Sequence, residues 1–136
     1  MISFNYEIDF KLQNEAKVSH WIASVIKDEG FNEGEINYIF CDDDYLLKLN
    51  VEFLNHDTLT DIISFDYTMG KEINGDIYIS IERVKDNASD FDVNFDEELN
   101  RVMVHGVLHY CGYQDKSDAE EKMMRLKENY YIKLIA

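Results

Sequence analysis

Apolar and polar positions alternate along the start of the chain and then change to a helical spacing. Positions 2, 4, 6 and 8 are apolar or aromatic, which predicts a half-buried strand over residues 2–10. Residues 14–28 carry their apolar side chains at the spacing of an amphipathic helix, and Gly30 is typical of a residue that ends a helix. The start of the chain therefore predicts one strand followed by one helix.

Strand and helix patterns continue to alternate along the rest of the chain. A second strand is predicted over residues 35–41, and the aspartates at 42–44 supply an N-cap and an acidic first turn for a second helix. Two more strands are predicted over residues 62–69 and 75–81. Three helices follow, over about residues 82–91, 96–111 and 117–134.

The order of these elements predicts the fold. Strands and helices that alternate favour parallel crossover connections, while the Asn74-Gly75 pair suits a hairpin turn that adds one antiparallel strand. The predicted fold class is α+β, with a mixed four-stranded sheet of three parallel strands and one antiparallel strand packed against about five helices. A chain of this length predicts a single domain over residues 1–136.

The segment from Leu99 to Cys111 predicts a helix that is buried on all sides, because it has no polar face. His105 and His109 lie within it at i and i+4, so that both rings lie on one face of the helix, one turn apart. Buried imidazoles need polar partners. A shared metal ion would satisfy both rings, and a pair of histidines satisfied within the core is the alternative.

The residues after this helix favour the metal interpretation. Gly112 fits a left-handed helix end, where the chain can turn back sharply and bring Asp115 towards the two rings. Two histidines and one carboxylate leave a fourth position open, which is typical of a catalytic zinc site. Cys111 lies two residues after His109 and so points to another side of the helix, and we interpret it as a core residue. The metal site is thus predicted on the buried central helix.

The His-Glu-x-x-His pattern of zinc peptidases is incomplete. Gly106 stands where the glutamate general base would be, which disfavours a peptidase. A glycine in a helix interior also costs roughly 1 kcal/mol relative to alanine, and a close approach to a strand or helix would explain it. A bound metal could still generate hydroxide, because zinc lowers the pKa of its water towards ~7.

Composition restricts the partners of the chain. Its 136 residues include 13 Lys and Arg against 28 Asp and Glu, for a formal net charge of −15. This charge excludes a protein held on nucleic acid by a general positive field, and it disfavours anionic membranes. We expect no membrane span and no signal peptide. Two cysteines make no disulfide framework, and we expect both thiols to be reduced in a cytoplasmic protein.

The residues 105–115, His-Gly-Val-Leu-His-Tyr-Cys-Gly-Tyr-Gln-Asp, resemble the signature of the YbeY family of bacterial rRNA maturation factors, His-Gly-x-Leu-His-x-x-Gly-Tyr-x-His. Residues 60–65 are similar to the Thr-Asp-Val-Leu-Ser-Phe strand of that family, and residues 75–79 to its Gly-Asp-Ile strand. The resemblance covers about residues 45–130, with the three segments in the same order. Members of the family are described as metal-dependent single-strand endoribonucleases.

The resemblance implies that one metal ion, Zn²⁺ or another divalent ion, is held by His105, His109 and Asp115. It also implies a single-stranded rRNA substrate and a role in rRNA maturation and ribosome assembly or quality control, with a ribosomal subunit or its proteins as partner. Zinc-activated water would hydrolyse a phosphodiester. Two alternatives remain: a non-catalytic ribosome-assembly factor with a structural metal site, and a zinc peptidase-like hydrolase.

Two departures from the family pattern concern the chemistry. Asp115 stands where the family usually has a third histidine, and it is an acceptable oxygen ligand for zinc. Leu54 stands where the family often has an arginine that could contact phosphate, and nearby His56 is a candidate to replace it, the alternative being an exposed loop histidine. Asp61 and Ser64 lie on the strand expected to line the cleft. They are candidates for substrate contact or for hydrogen bonds within the sheet.

Overall fold

The computed structural model describes residues 1–54 and 60–135 of the chain. These residues form four strands and five helices, as the sequence predicts. The strands are β1 (Ile2–Tyr6), β2 (Asn32–Cys41), β3 (Ile62–Asp66) and β4 (Glu72–Ser80). The helices are α1 (Glu15–Asp28), α2 (Asp43–Leu54), α3 (Ile81–Asp90), α4 (Phe95–Tyr110) and α5 (Asp118–Ile135).

The strands form one mixed sheet in the order β1-β2-β4-β3. β1 and β4 both pair in parallel with β2, and β3 pairs antiparallel with β4. The predicted fold class is therefore confirmed, with β3 as the antiparallel strand at one edge. β1 is shorter than predicted and ends at Tyr6, which pairs with Phe40 close to the end of β2.

The hairpin between β3 and β4 is present, but the position predicted for its turn is wrong. The turn lies around Gly70, where φ is +59°, and an isolated bridge joins Met69 to Glu72. Asn74 and Gly75 lie inside β4 instead. A side chain at Gly75 would overlap the ring of Tyr110, since an added Cβ would lie 2.5 Å from it. The glycine thus serves helix packing, and the local turn signal is overridden.

The two faces of the sheet are covered unequally. On one face, α1, α4 and α5 pack over a large core that includes alternate residues of β4 and nearly every apolar side chain of α4. On the other face, α2 covers a small cluster formed by Cys41, Leu46 and Ile63. As predicted, Asp42 caps α2: its Oδ1 accepts a 2.8 Å hydrogen bond from the Tyr45 amide.

Two expectations about membranes and disulfides concern the described residues. No helix among them combines the length and apolar character needed to cross a membrane. Cys41 and Cys111 are both free thiols, as expected.

Candidate metal centre

Helix α4 runs through the middle of the core and contains the two histidines of the predicted site. Apart from His105, the residues from Val102 to Leu108 are buried, which agrees with the absence of a polar face in the sequence. Gly106 lets the helix lie close to the sheet, because a Cβ there would lie 3.1 Å from side-chain atoms of both Ile62 and Ile77. The close approach expected of this glycine is present, and it brings the two histidines to the edge of the core.

Gly112 turns the chain back towards the helix, as predicted. Its φ is +103°, in the left-handed region, and its amide donates to the His109 carbonyl oxygen over 3.0 Å. The returning loop places Asp115 Oδ2 3.3 Å from the Nε2 atoms of both His105 and His109, and these two nitrogens lie 3.0 Å apart. The structure therefore brings the three predicted ligands together as one group of half-buried side chains that could hold a metal ion.

A buried carboxylate behind this group fixes one of its rings. Oε2 of Glu128 on α5 lies 2.7 Å from Nδ1 of His105, and its Oε1 accepts a 3.0 Å hydrogen bond from Arg101 Nη1. The Glu128 side chain is only 5% exposed. With Nδ1–H donated to Glu128, the lone pair of His105 lies on Nε2 and faces His109 and Asp115. A carboxylate in this position orients a metal-binding imidazole and makes it more basic.

Burial and the neighbouring carboxylates shift the pKa of His105 in opposite directions. Burial disfavours the charged imidazolium, but the hydrogen bond and the charge of Glu128, with a smaller contribution from Asp115, outweigh it and raise the pKa of His105. The surroundings of the ring therefore favour positive charge at this point. A divalent cation held by His105, His109 and Asp115 would meet the same favourable potential.

The donor set fits zinc. Ligand atoms that are ~2.0–2.2 Å from a tetrahedral zinc ion lie about 3.3–3.6 Å from one another. The separations of 3.0 and 3.3 Å in the group are close to this range. Three protein ligands leave a fourth position free for water or substrate. Cys111 is not suited to join them, since burial raises the pKa of its thiol to about 12.

The other sequence candidates lie in different places. Asp61 lines a cavity of about 210 Å³ beside His105. Burial raises its pKa, although the nearby His105 opposes the shift. Ser64 lies beside the Tyr110 hydroxyl, which donates to the carbonyl oxygens of Phe65 and Asp76, so that Ser64 faces the α4–sheet contact. His56 lies outside the described residues.

A second polar cluster holds the loop that carries Asp115. Tyr113 Oη donates a 2.6 Å hydrogen bond to Oε1 of Glu29 at the end of α1. Oε2 of the same carboxylate lies 3.2 Å from Lys127 Nζ on α5 and also accepts from Tyr131 Oη. We call these four residues the Glu29 cluster. It ties the loop to two helices, two residues before Asp115.

Glu128 and Arg101 are not among the residues predicted from the sequence, although one signal points to Glu128. The buried positions of α5 include Met124, Glu128, Tyr131 and Ile135, which recur at helical spacing. Glu128 therefore occupies an inward position in an otherwise apolar series. A carboxylate there needs a partner inside the fold.

Known proteins resemble this chain over nearly its whole length. The sequence profile of the family described as Endoribonuclease YbeY matches residues 3–136. Curated relatives with that same name include a protein of Flavobacterium psychrophilum, 67% identical over 98% of this chain and 96% of its own length. Another, from Christiangramia forsetii, is 53% identical over 98% of this chain and 93% of its own length. A solution structure of a Thermotoga maritima protein matches with a TM-score of 0.74 at 29% identity, covering 99% of this chain and 89% of that one.

Proposed function

The chain belongs to the YbeY endoribonuclease family and is a hydrolase, and we propose that it is a zinc-dependent enzyme that cleaves single-stranded RNA during rRNA maturation. The observation that carries the metal part of this proposal is the His105, His109 and Asp115 group, with Glu128 behind it. The part concerning rRNA and ribosome assembly rests on the family resemblance. The enzyme would act in the cytoplasm as a single domain, with a ribosomal subunit or its proteins as partner.

The site supports hydrolysis through the chemistry of its donor set. A zinc ion there would polarise a phosphoryl oxygen and lower the pKa of its bound water. The protein contributes the orientation of the ligands: Glu128 holds the proton of His105 on Nδ1, and the loop after Gly112 presents Asp115. The apolar side chains between and before the two histidines on α4 are closed to solvent, since Met103, Val104 and Val107 are fully buried.

Two cavities beside the group support a bound RNA strand. One of about 210 Å³ includes His105 in its lining, and the other, of about 540 Å³, includes Asp115. Arg125 on α5 lines both cavities, and its side chain is more than half exposed. We propose that Arg125 takes the phosphate-binding role suggested for the position now occupied by Leu54. Its guanidinium can form bidentate hydrogen bonds with a phosphate.

The charge distribution agrees with RNA approaching along α5. Residues 113–136 contain as many basic as acidic residues, so the net charge of −15 lies in residues 1–112. Phosphate is therefore repelled least beside Asp115 and α5. The acidic body gives little affinity for RNA by itself, and a ribosomal partner would supply the rest.

The decisive experiment compares the native protein with His109→Ala. Removing one of three ligands should abolish zinc binding, measured by metal analysis of the purified proteins, and with it the cleavage of a fluorescent single-stranded RNA. Cleavage by the native protein should disappear on chelation and return on adding Zn²⁺. An exposed histidine on α1 provides the matched control, and His20→Ala should keep both zinc and activity.

Each contrary outcome identifies a different error. Full zinc retention in His109→Ala would overturn the assignment of the ligands. Zinc binding without RNA cleavage by protein free of contaminating nuclease would favour the non-catalytic ribosome-assembly factor. Digestion of casein but not of RNA would favour the peptidase-like alternative.

A further inference from the structure

The cavity beside His105 has a size and position that suit a single nucleobase. Its volume of about 210 Å³ is below the ~300–1,000 Å³ of sites that enclose a drug-sized ligand. It lies between α3, α4, α5 and the start of β3, and its wall includes His105 of the candidate metal centre. A base in this cavity would therefore belong to a nucleotide whose phosphate lies close to that centre.

The wall of the cavity offers hydrogen-bond acceptors that the protein leaves largely unused. Glu98 is 4% exposed, and within the described part of the chain its carboxylate makes one ion pair, 4.0 Å from Arg101 Nε. This distance is too long for a hydrogen bond. Asp61 Oδ2 accepts a long hydrogen bond of 3.4 Å from Asn87 Nδ2. A buried carboxylate with as few donors as Glu98 is expected to take donors from a ligand, and the half-buried Asp61 lines the same cavity.

Two charged groups that line the cavity, Asp61 and Glu98, favour a neutral base over a phosphate, while Arg125, which also lines it, is left for the phosphate of the same nucleotide. Asp61 and Glu98 are both acidic, and Arg101 is already hydrogen-bonded to Glu128. Burial raises the pKa of Glu98, and the charge of Asp61 raises it further while Arg101 opposes the shift. An added anion would increase this repulsion. A neutral group with several N–H donors would relieve it.

Nucleobases with an exocyclic amino group supply such donors. A carboxylate accepts hydrogen bonds from the amino group of cytosine, and single-stranded RNA is commonly recognised through the edges of unstacked bases. Phe91 lies at the end of α3, lines the same cavity and is 59% exposed, so its ring is free to stack on a base. The acceptors and the aromatic ring thus line the same cavity, as binding of one inserted base requires.

We propose that this cavity is a base-binding subsite that accepts one unstacked nucleobase bearing an exocyclic amino group and rejects uracil. Glu98 and Asp61 would accept from the edge of the base, and Phe91 would stack on its face. The inference rests on the proposed RNA cleavage for its biological meaning, although nucleotide binding can be measured without it. It predicts that cleavage sites are selected by one base next to the scissile phosphate.

The test titrates the zinc-loaded protein with CMP, GMP, AMP and UMP while the side-chain amide of Asn87 is followed by NMR. Amino-bearing nucleotides should bind at least about tenfold more tightly than UMP, within the discrimination that one well-formed base contact gives. Glu98→Gln replaces half of the acceptor with a donor and should reduce this preference to about twofold or less. Glu97→Gln, the same change one residue earlier and outside this cavity, should leave it unchanged.

A second variant tests the subsite without changing a buried residue, in case Glu98→Gln does not fold. Phe91→Leu changes an exposed side chain, so the fold should be kept, while all four nucleotides should bind several-fold more weakly. Equal binding of UMP and CMP, or a preference that Glu98→Gln leaves intact, would overturn the subsite even if RNA is cleaved. Selective nucleotide binding without any RNA cleavage would support the subsite and contradict the proposed activity.

Discussion

Glu128 on α5 and Glu29 at the end of α1 both have buried carboxylates, but they hold different parts of the candidate metal centre. Their side chains are 5% and 9% exposed, and each carboxylate uses both of its oxygens. Glu128 is paired with Arg101 at 3.0 Å and with Arg125 at 3.6 Å, and Glu29 is paired with Lys127. Glu128 contacts the ring of His105 directly, whereas Glu29 contacts Tyr113 in the loop before Asp115. The first orients a donor atom, and the second fixes the backbone that carries another.

Helix α5 connects these two regions because neighbouring residues on it point in different directions. Lys127 reaches Glu29 at the end of α1, while Glu128 reaches His105 on α4. We therefore expect substitutions at Glu128 to act mainly on metal affinity. Substitutions in the Glu29 cluster should act mainly on stability, because they loosen the loop without removing a group that touches a ligand ring.

The largest effect should follow Glu128→Gln. The substitution keeps the size of the side chain but removes the charge that orients and polarises His105, and changes to such partners typically weaken metal binding by about 10–100-fold. Zinc affinity can be measured by competition with a chromophoric chelator. Glu97→Gln makes the same change near the start of α4, at the end of the helix away from His109, and should keep the native zinc affinity.

An unchanged zinc affinity in Glu128→Gln would contradict the role given to Glu128 at the metal centre, since its carboxylate would then serve only to neutralise Arg101 and Arg125. Loss of fold would be recognised by circular dichroism. In that case, titrating zinc into Arg101→Lys, which keeps a cation near Glu128 and leaves its contact with His105, separates the two roles. This variant should retain zinc affinity within about threefold, because the His105 contact persists.

A smaller and different effect is expected for Glu29→Gln. Burial alone would raise the pKa of Glu29, but hydrogen bonds from Tyr113, Tyr131 and Lys127 outweigh it and lower the pKa below its ordinary value of 4.5. A carboxylate with a lowered pKa stabilises the fold above that ordinary value, and this stabilisation is lost as the pH falls towards the folded-state pKa.

The native protein should therefore be more stable than Glu29→Gln at about pH 7, and the difference should shrink at about pH 3. Thermal unfolding measured across this range tests the sign. Zinc affinity at about pH 7 should change by less than about tenfold, below the range expected for partners of a ligand ring. A constant difference in stability at all pH values would show that Glu29 is not held as the charged form.

The same comparison shows what the sequence could predict of the site. His105 and His109 share a helix, and Gly112 directs the loop that follows, so local spacing is enough to bring Asp115 to the two rings. Glu128 lies 23 positions after His105 in the chain, and their contact depends on how α5 packs on α4. Periodicity indicates that Glu128 points inward, but it does not identify the partner.

The fold, like the site, has some features that local sequence determines and others that depend on tertiary packing. The alternating strands and the apolar helix α4 follow from periodicity, and the predicted mixed sheet is confirmed. The Asn74-Gly75 pair misled the prediction because its glycine is required by the ring of Tyr110, which packs against β4. A turn signal of two residues cannot be distinguished in the sequence from a glycine needed for packing. The position of Asp61 on its strand is enough to predict it as a candidate. The cavity that it shares with Glu98 is not predictable in this way, because it depends on how α3 and α4 pack.

The smallest effect should follow Tyr113→Phe, which removes only the hydroxyl that donates to Glu29. The ring remains beside Lys127, whose Nζ lies 5.5 Å from its centroid. We expect a loss of about 1 kcal/mol in the free energy of unfolding, measured in urea, and unchanged zinc affinity. Tyr130→Phe removes an exposed hydroxyl on α5 and should cost less. In the double variant with Glu29→Gln the two losses should not add, because both substitutions weaken the same charge-assisted hydrogen bond. Additive losses would mean that the Tyr113 hydroxyl stabilises the fold independently of Glu29.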